Sequence, residues 1–454
     1  MNKCFITKLP SSVDNNTLPV LGQLKIKWLK QNTLTDNDAR AIDLQTNSSI
    51  TVKVSGAHFT DSTLASNIGN TKIITATDGV VSLYVSNDVD AVLTIDNKYS
   101  LLYLGFAHNG KSKVPKSVYF DIEDIRGCTN IQWLYLSSTQ VSGDISAVRN
   151  LVNLKSLVLN DTKVSGDISA VSNLTKLVSI YIDYTQITGD ISAVSNLTNL
   201  TALAIGYTQV SGDISAVRNL VNLTSLILND TKVSGDISAV SNLVNLSSLV
   251  LDYIQVSGDI SAVSNLTNLE YLGVSSTKVS GDISAVSNLT NLTALTIGYT
   301  QITGNISAVR NLTKLTALSI GYTQITGAVD YLVGLTKLVD LDIKNISLTG
   351  NMSMIPINVV FISQLGRNII TNFTWTANGR FNAKLLAMEG PVPFDTVSMD
   401  NMLIDQATCT FTPAASIPWL NVISVSGNRT SASDAAVATI QSKGVTITGV
   451  NKVS

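Results

Sequence analysis

Apolar residues return along most of this chain at a fixed set of places. In the stretch Leu151-Val-Asn-Leu154-Lys-Ser-Leu157-Val-Leu159-Asn-Asp-Thr162-Lys-Val164-Ser-Gly166-Asp-Ile168-Ser-Ala-Val171-Ser-Asn173 they fall at positions 1, 4, 7, 9, 14, 18 and 21. Gly143, Gly166, Gly189, Gly212, Gly235, Gly258, Gly281, Gly304, Gly327 and Gly350 follow one another at intervals of 23 residues. A glycine in strict register over ten units means a stacked repeat in which each unit adds one layer to a shared core. Leu157-Val158-Leu159 alternates with period two and predicts a short strand, fed by leucines spaced by three. Asp167-Ile-Ser-Ala-Val171 predicts one short helical or 3-10 turn, with Asp167 as its cap after the permissive Gly166. No proline lies between Pro115 and Pro356, so every strand of the array can donate its backbone hydrogen bonds. At a parallel strand spacing of about 4.8 Å, ten layers extend roughly 50 Å.

The ends depart from this period. Residues 1–97 hold alternating runs, Gln23–Trp28, Ile50–Val54 and Val80–Val85, separated by Asn, Asp and Gly, and predict a small all-β domain. Tyr99 to Asn130 reads as a degenerate entry repeat with an insertion at Lys111 to Lys116. The solenoid is expected over 98–350, and 351–454 as irregular repeats with a terminal cap. In that last part Val359–Ile362 and Trp419–Val425 are candidate strands. Ser431-Ala-Ser-Asp434 resembles a capping box for a helix over Ala435 to Gln441, which Gly444 ends before a strand at Val445–Thr448.

The pattern Leu-x-x-Leu-x-Leu-x-x-Thr-x-Val, preceded by Asn-Leu-Thr-Asn-Leu as at Asn196 to Leu200, closely resembles bacterial leucine-rich repeats of the internalin-like kind over about 130–350. The resemblance implies an α/β solenoid with a parallel β-sheet and short helical or 3-10 turns. A right-handed parallel β-helix is the alternative, disfavoured because Ile-Ser-Ala-Val lacks strand alternation. Threonine stands where the family pattern has asparagine, at Thr139, Thr162, Thr185, Thr208, Thr231, Thr277, Thr300 and Thr323, with Ile254 breaking the column. Each hydroxyl is expected to bond the backbone of a neighbouring repeat. A second resemblance, at Met402–Cys409 and Arg429–Ala436, is to the tails of repeat proteins of gut bacteria and their phages.

In this repeat class the outward side chains of the strands line a concave sheet. Here they include Trp133, Tyr135, Tyr181, Asp183 and Asp252. One place further along runs a column of Asp161, Tyr184, Tyr207, Asp230, Tyr253, Tyr299 and Tyr322. Tyrosine offers a flat apolar face and a hydroxyl, and Asp accepts from amide or sugar donors, so these twelve residues are the candidate ligand-binding surface. Asp144, Asp167, Asp190, Asp213, Asp236, Asp259 and Asp282 form a separate column, followed by Asn305 and Ala328. Capping accounts for that column better than calcium, since Asn305 would cap equally well. Gln140, Lys163, Gln186, Gln209, Lys232, Gln255, Lys278, Gln301 and Gln324 are expected along a solvated edge.

Thirty basic against 32 acidic residues leave a net charge of −2, so charge implies no polyanionic partner and nucleic acid is not expected as one. Only 14% of residues are charged while Ser, Thr and Asn abound, so the surface should be neutral and rich in hydroxyls and amides. His58 and His108 lie outside the array, and Cys4, Cys128 and Cys409 are far apart, so neither a catalytic triad, a structural zinc nor a disulfide framework is expected. No metal, cofactor or enzymatic activity is expected; a glycan-cleaving pair of Asp residues is the enzyme alternative. The 27 uncharged residues between Asp282 and Arg310 are interrupted by Asn288, Asn291, Gln301 and Asn305 and do not read as a membrane span. The first ten residues lack an apolar run of seven, so no secretory leader is expected. Internalin-like repeats imply adhesion, and a phage virion surface or fibre protein reconciles that with the expected absence of a leader. Its N-terminal domain would meet other virion proteins and its repeats a host surface protein or glycan. The alternative is a bacterial cell-surface or intracellular interaction scaffold.

Overall fold

The seven apolar positions of each repeat all turn inward, and that decides the architecture. In the repeat beginning at Leu220, the side chains of Leu220, Leu223, Leu226, Leu228, Val233, Ile237 and Val240 are completely buried. A computed structural model describes residues 23–28, 41–57, 59–60, 67–76, 80–85, 91–106, 118–351, 354–356, 361–363, 373–374, 387–388, 396–407 and 422–453. The chain divides into two compact units, Met1–Gly166 and Asp167–Ser454.

In the second unit each repeat supplies three elements. The first is a strand such as Ser225–Ile227, which pairs in parallel with its equivalent Ser248–Val250, Leu226 opposite Leu249. The last is a 3-10 turn such as Ile237–Val240. Between them lies a second strand, Lys232–Asp236, which pairs in parallel with Gln255–Asp259 in another sheet. The sequence reading of strand, bend and turn missed this element. Its glycine has a positive φ, +108° at Gly235, which reads as a bend, yet Val233 stays in register with Gly212 and Gly235 with Val256 in the parallel ladder. Every repeat is therefore three-sided, with the leucine-rich side, the glycine side and the turn side enclosing one apolar column.

Asp236 caps its turn by accepting from Ser238 N at 2.8 Å, and the same bond recurs from Asp190 to Asp282. Asn305 makes it to Ser307 N at 2.9 Å. Carboxylate and glycine are coupled across repeats: a Cβ on Gly258 would lie 2.7 Å from the carboxylate of Asp236. The glycine is thus required twice, by its φ of +103° and by the acid of the preceding repeat.

Among the described residues, a set of the hydroxyls and amides cross-links successive layers. Asn222, Asn245, Asn268 and Asn291 each donate through Nδ2 to a carbonyl 24 residues earlier at 2.9–3.0 Å. Thr224, Ser247, Thr293 and Thr316 donate to carbonyls 23 residues earlier at 2.9–3.0 Å. The buried threonine column works differently from expectation. Thr231 Oγ1 donates to Leu228 O of its own repeat at 2.7 Å, tightening the turn after the strand instead of bonding a neighbour. The asparagine ladder that the threonines displace is found instead at the third position of the repeat.

Beyond Gly350, Phe361–Ser363 and Ala387–Met388 continue the strand ladder with irregular spacing. The helix Thr396–Ala407 was not anticipated. Its Asp400 is buried and accepts from Thr430 N at 3.0 Å, Thr430 Oγ1 at 2.6 Å and Ser433 Oγ at 2.6 Å. A polar core position of that kind hides the helical period from a hydrophobic pattern. The second helix, Asp434–Ser442, is preceded by a 3-10 turn Ser431–Ser433 that Thr430 caps, so the expected capping box is replaced. Asp434 instead pairs with Arg429 at 2.6 Å and Lys452 at 2.5 Å. Gly444, at φ +79°, ends the helix, and Thr446–Lys452 pairs in parallel with Val422–Arg429.

In the first unit, Leu24–Trp28, Ala41–Thr46, Ile50–Ser55, Thr71–Ile74, Val81–Val85 and Ala91–Ile95 form antiparallel pairs. Ala41–Thr46 also pairs with Leu101–Gly105, which starts the parallel ladder against Trp133–Tyr135. Leu24–Trp28 pairs with Val118–Tyr119. Strands on both sides of residue 97 are thus hydrogen bonded to one another. His58, His108, Cys4, Cys409 and the insertion at 111–116 lie outside the described residues; Cys128 is buried.

Candidate functional site

The column that follows each first strand has an unusual backbone. Ser138, Asp161, Tyr184, Tyr207, Asp230, Tyr253, Ser276, Tyr299, Tyr322 and Asn345 all sit at φ between +52° and +60°, in the left-handed region. Bulky side chains rarely occupy that region, and each such residue costs about 1 kcal/mol or more. The backbone there is held by the ladder: Tyr207 N donates to Asn229 O at 2.9 Å and Tyr299 N to Gly321 O at 2.9 Å. This conformation points the side chains outward along one edge of the strand face. Tyr184, Tyr207, Tyr253 and Tyr299 are 55%, 44%, 61% and 53% exposed.

The rings are ordered by their own spacing. Tyr184 and Tyr207 stack at 4.2 Å with planes 13° apart, and Tyr299 and Tyr322 at 4.2 Å and 19°. A hydrogen bond to Tyr184 and the nearby carboxylate of Asp230 push the Tyr207 hydroxyl up to about 12. Lys344 Nζ lies 5.3 Å from the Tyr322 ring centroid, a cation–π contact the sequence reading missed. Asp252 is half-buried beside this edge and accepts from Ser275 N at 2.7 Å; burial raises its carboxyl above the usual range. Tyr181 and Asp183 are half-buried at the strand Ser179–Tyr181.

In the first unit, Trp133 and Tyr135 lie on one strand with Tyr103 beside them, its ring centroid 5.3 Å from that of Tyr135. Lys155 Nζ lies 5.1 Å from the Trp133 ring. Burial and Asp43 push the Tyr103 hydroxyl to about 12. Asp161 is exposed at the end of the next strand. Tyr103 and Lys155 were missed because the entry repeat is degenerate and Lys155 precedes the strand.

Of the twelve predicted residues, the structure brings together Tyr184, Tyr207 and Asp230, then Tyr299 and Tyr322, and in the first unit Trp133 and Tyr135. Tyr253 stacks on no other tyrosine of the column. The lysine and glutamine column is exposed from Lys163 to Gln324. Among the described residues, no group of three His, Cys, Asp or Glu side chains is placed to hold a metal, and no helix is long and apolar enough to cross a membrane.

A three-sided parallel stack with 23-residue period, leucine-lined core and short 3-10 turns defines a leucine-rich-repeat solenoid of the internalin-like fold. Solved structures agree. An internalin of Listeria monocytogenes is similar at 26% identity and a TM-score of 0.51, over 76% of this chain and 86% of the internalin. The plant peptide hormone receptor RGFR1, solved in complex with RGF2, is similar at 21% identity and a TM-score of 0.54, over 73% of this chain and 61% of the receptor chain. The Arabidopsis receptor kinase HAESA, solved with the peptide hormone IDA and the co-receptor SERK1, matches at 20% identity and a TM-score of 0.51 over 72% of this chain. This chain spans 55% of that receptor, and at these identities both receptors speak for the fold alone. No family model and no curated protein matches the sequence.

Proposed function

We propose that this chain is a non-enzymatic recognition protein whose tyrosine-bearing strand edge binds a protein or glycan on a cell surface. The observation that carries the reading is the contrast within one repeat. Core positions stay apolar, the glycine is kept from Gly143 to Gly350 and the capping acid from Asp144 to Asp282, while the left-handed column changes among Tyr, Asp, Ser and Asn. Tyrosine is among the residue types enriched where binding energy concentrates at interfaces. Replacing Tyr184, Tyr207 and Tyr253 together by Ala should weaken binding to cells and leave the fold intact; unchanged binding by the folded variant would reject the site.

The setting we propose is the surface or fibre of a phage particle, supported by the resemblance of residues 402–409 and 429–436 to tails of repeat proteins from gut bacteria and their phages. Residues 1–97 would then attach the chain to other virion proteins. Similarity to the Listeria internalin favours a second setting, the bacterial cell surface. Quantifying peptides of this chain in purified particles and in cell envelopes separates them. Enrichment in particles supports the first, and enrichment in envelopes removes it.

A further inference from the structure

The tyrosine column contains a missing rung. Tyr253, Ser276 and Tyr299 occupy three consecutive layers with nearly identical backbones, at φ +60°, +56° and +56°. Their amides keep unbroken register, Tyr253 N to Ser275 O, Ser276 N to Gly298 O and Tyr299 N to Gly321 O, each at 2.9 Å. The three side chains therefore leave the sheet edge from equivalent points, and the middle one is a serine. Where neighbouring layers both carry tyrosine, the rings stack at 4.2 Å. Two layers set the backbones that carry Tyr253 and Tyr299 roughly 9–10 Å apart, and two successive stacks at the 4.2 Å of the paired tyrosines span a comparable width. The other interrupted place between tyrosines, at Asp230, holds a carboxylate that interacts with the Tyr207 hydroxyl. Ser276 brings neither charge nor bulk.

We infer that the slot above Ser276, walled by Tyr253 and Tyr299, receives an aromatic side chain of a partner polypeptide, with tyrosine the best match. The guest ring completes the ladder at the spacing that the protein uses for its own tyrosines, and its hydroxyl falls in line with theirs. This deepens the recognition reading above and rests on it, by naming what the edge grips.

Ser276→Tyr supplies the missing ring from within. Tyrosine already occupies this backbone conformation in other repeats, so the variant should fold with an unchanged circular dichroism spectrum and melting temperature. N-acetyl-tyrosinamide is the probe, titrated against the full chain and followed by NMR chemical shifts of its ring and of the protein. The wild type should bind it, S276Y should bind at least tenfold more weakly, and Tyr253→Ala, which removes one wall, should lose binding to a similar degree. Methyl β-glucopyranoside at the same concentrations should bind at least tenfold more weakly than the tyrosine probe. No binding to the wild type, equal binding by S276Y, or a preference for the glucoside would overturn the inference; if S276Y fails to fold, Y253A decides. Loss of cell binding by the triple tyrosine variant together with no probe binding would keep the recognition reading and remove the slot.

Discussion

Two columns run through the same layers at the same 23-residue spacing and obey opposite rules. On the turn side, aspartate and glycine hardly vary from Asp190 to Gly304; on the strand edge, Tyr, Asp and Ser alternate over those layers. The difference lies in what each side chain meets in the next layer. The Asp236 carboxylate caps its own turn and also occupies the space where a Cβ on Gly258 would go, so a side chain at 258 would have to displace the cap of the preceding repeat. Tyr253 meets solvent over most of its surface, and its neighbours in the column are Asp230 and Ser276. Constancy here marks mechanical coupling between layers, and variation marks a surface released from it.

This contrast can be broken in stages. The largest effect is expected below both columns, where Leu249→Ala should lower unfolding free energy by about 2–5 kcal/mol through the cavity it leaves, as chemical denaturation will measure. Next comes Gly258→Ala, expected to cost about 1–3 kcal/mol, because it forces a side chain into a positive φ and against a carboxylate. Pairing it with Asp236→Ala in a double-mutant cycle should recover part of that loss. An additive result would show that the two residues are not coupled. Asp236→Ala alone should cost about 1 kcal/mol as a lost cap, and Asp236→Asn close to nothing, because Asn305 already makes the same bond.

A smaller effect is expected with acid. Hydrogen bonds from the amides and hydroxyls of Ser146, Ser215, Ser238 and Ser261 hold Asp144, Asp213, Asp236 and Asp259 below the ordinary aspartate value. A group whose folded value is lowered stabilises the fold above its unfolded value near 3.9 and ceases to do so as pH falls through the folded value. Melting temperature should therefore be insensitive to these groups from pH 7 down to about 5 and fall below about 4. The loss should be modest, because the carboxylates are exposed and screened. A variant carrying Asn at all four positions should show a shallower fall; an identical profile would remove the caps as its cause.

What could be read in advance follows the same division. The seven core positions and the Asp cap were legible, because apolar spacing and an acid two residues before Ser238 are local signals. The second strand was not, because Gly235 interrupts the alternation that marks a strand. The asparagine and threonine ladders depend on carbonyls 23 or 24 residues away, and a repeat read by itself does not contain them. The tyrosine column was legible as a column. Its left-handed backbone was not, since tyrosine rarely adopts that conformation, and neither was the stacking that turns separate rings into a ladder with a gap. The helix at Thr396–Ala407 escaped notice because Asp400 is buried by partners that come from residues 430 and 433.

The central claim is that the strand edge recognises a partner while the layers beneath it carry stability, and one variant tests both halves together. Tyr184, Tyr207 and Tyr253 should be replaced by Ala, and the labelled variant compared with the wild type for binding to a panel of intact gut bacterial cells and for thermal unfolding. The account predicts loss of at least nine tenths of the cell-bound signal with a melting temperature within a few degrees of wild type. Full binding by the folded variant, or collapse of the fold, would contradict it.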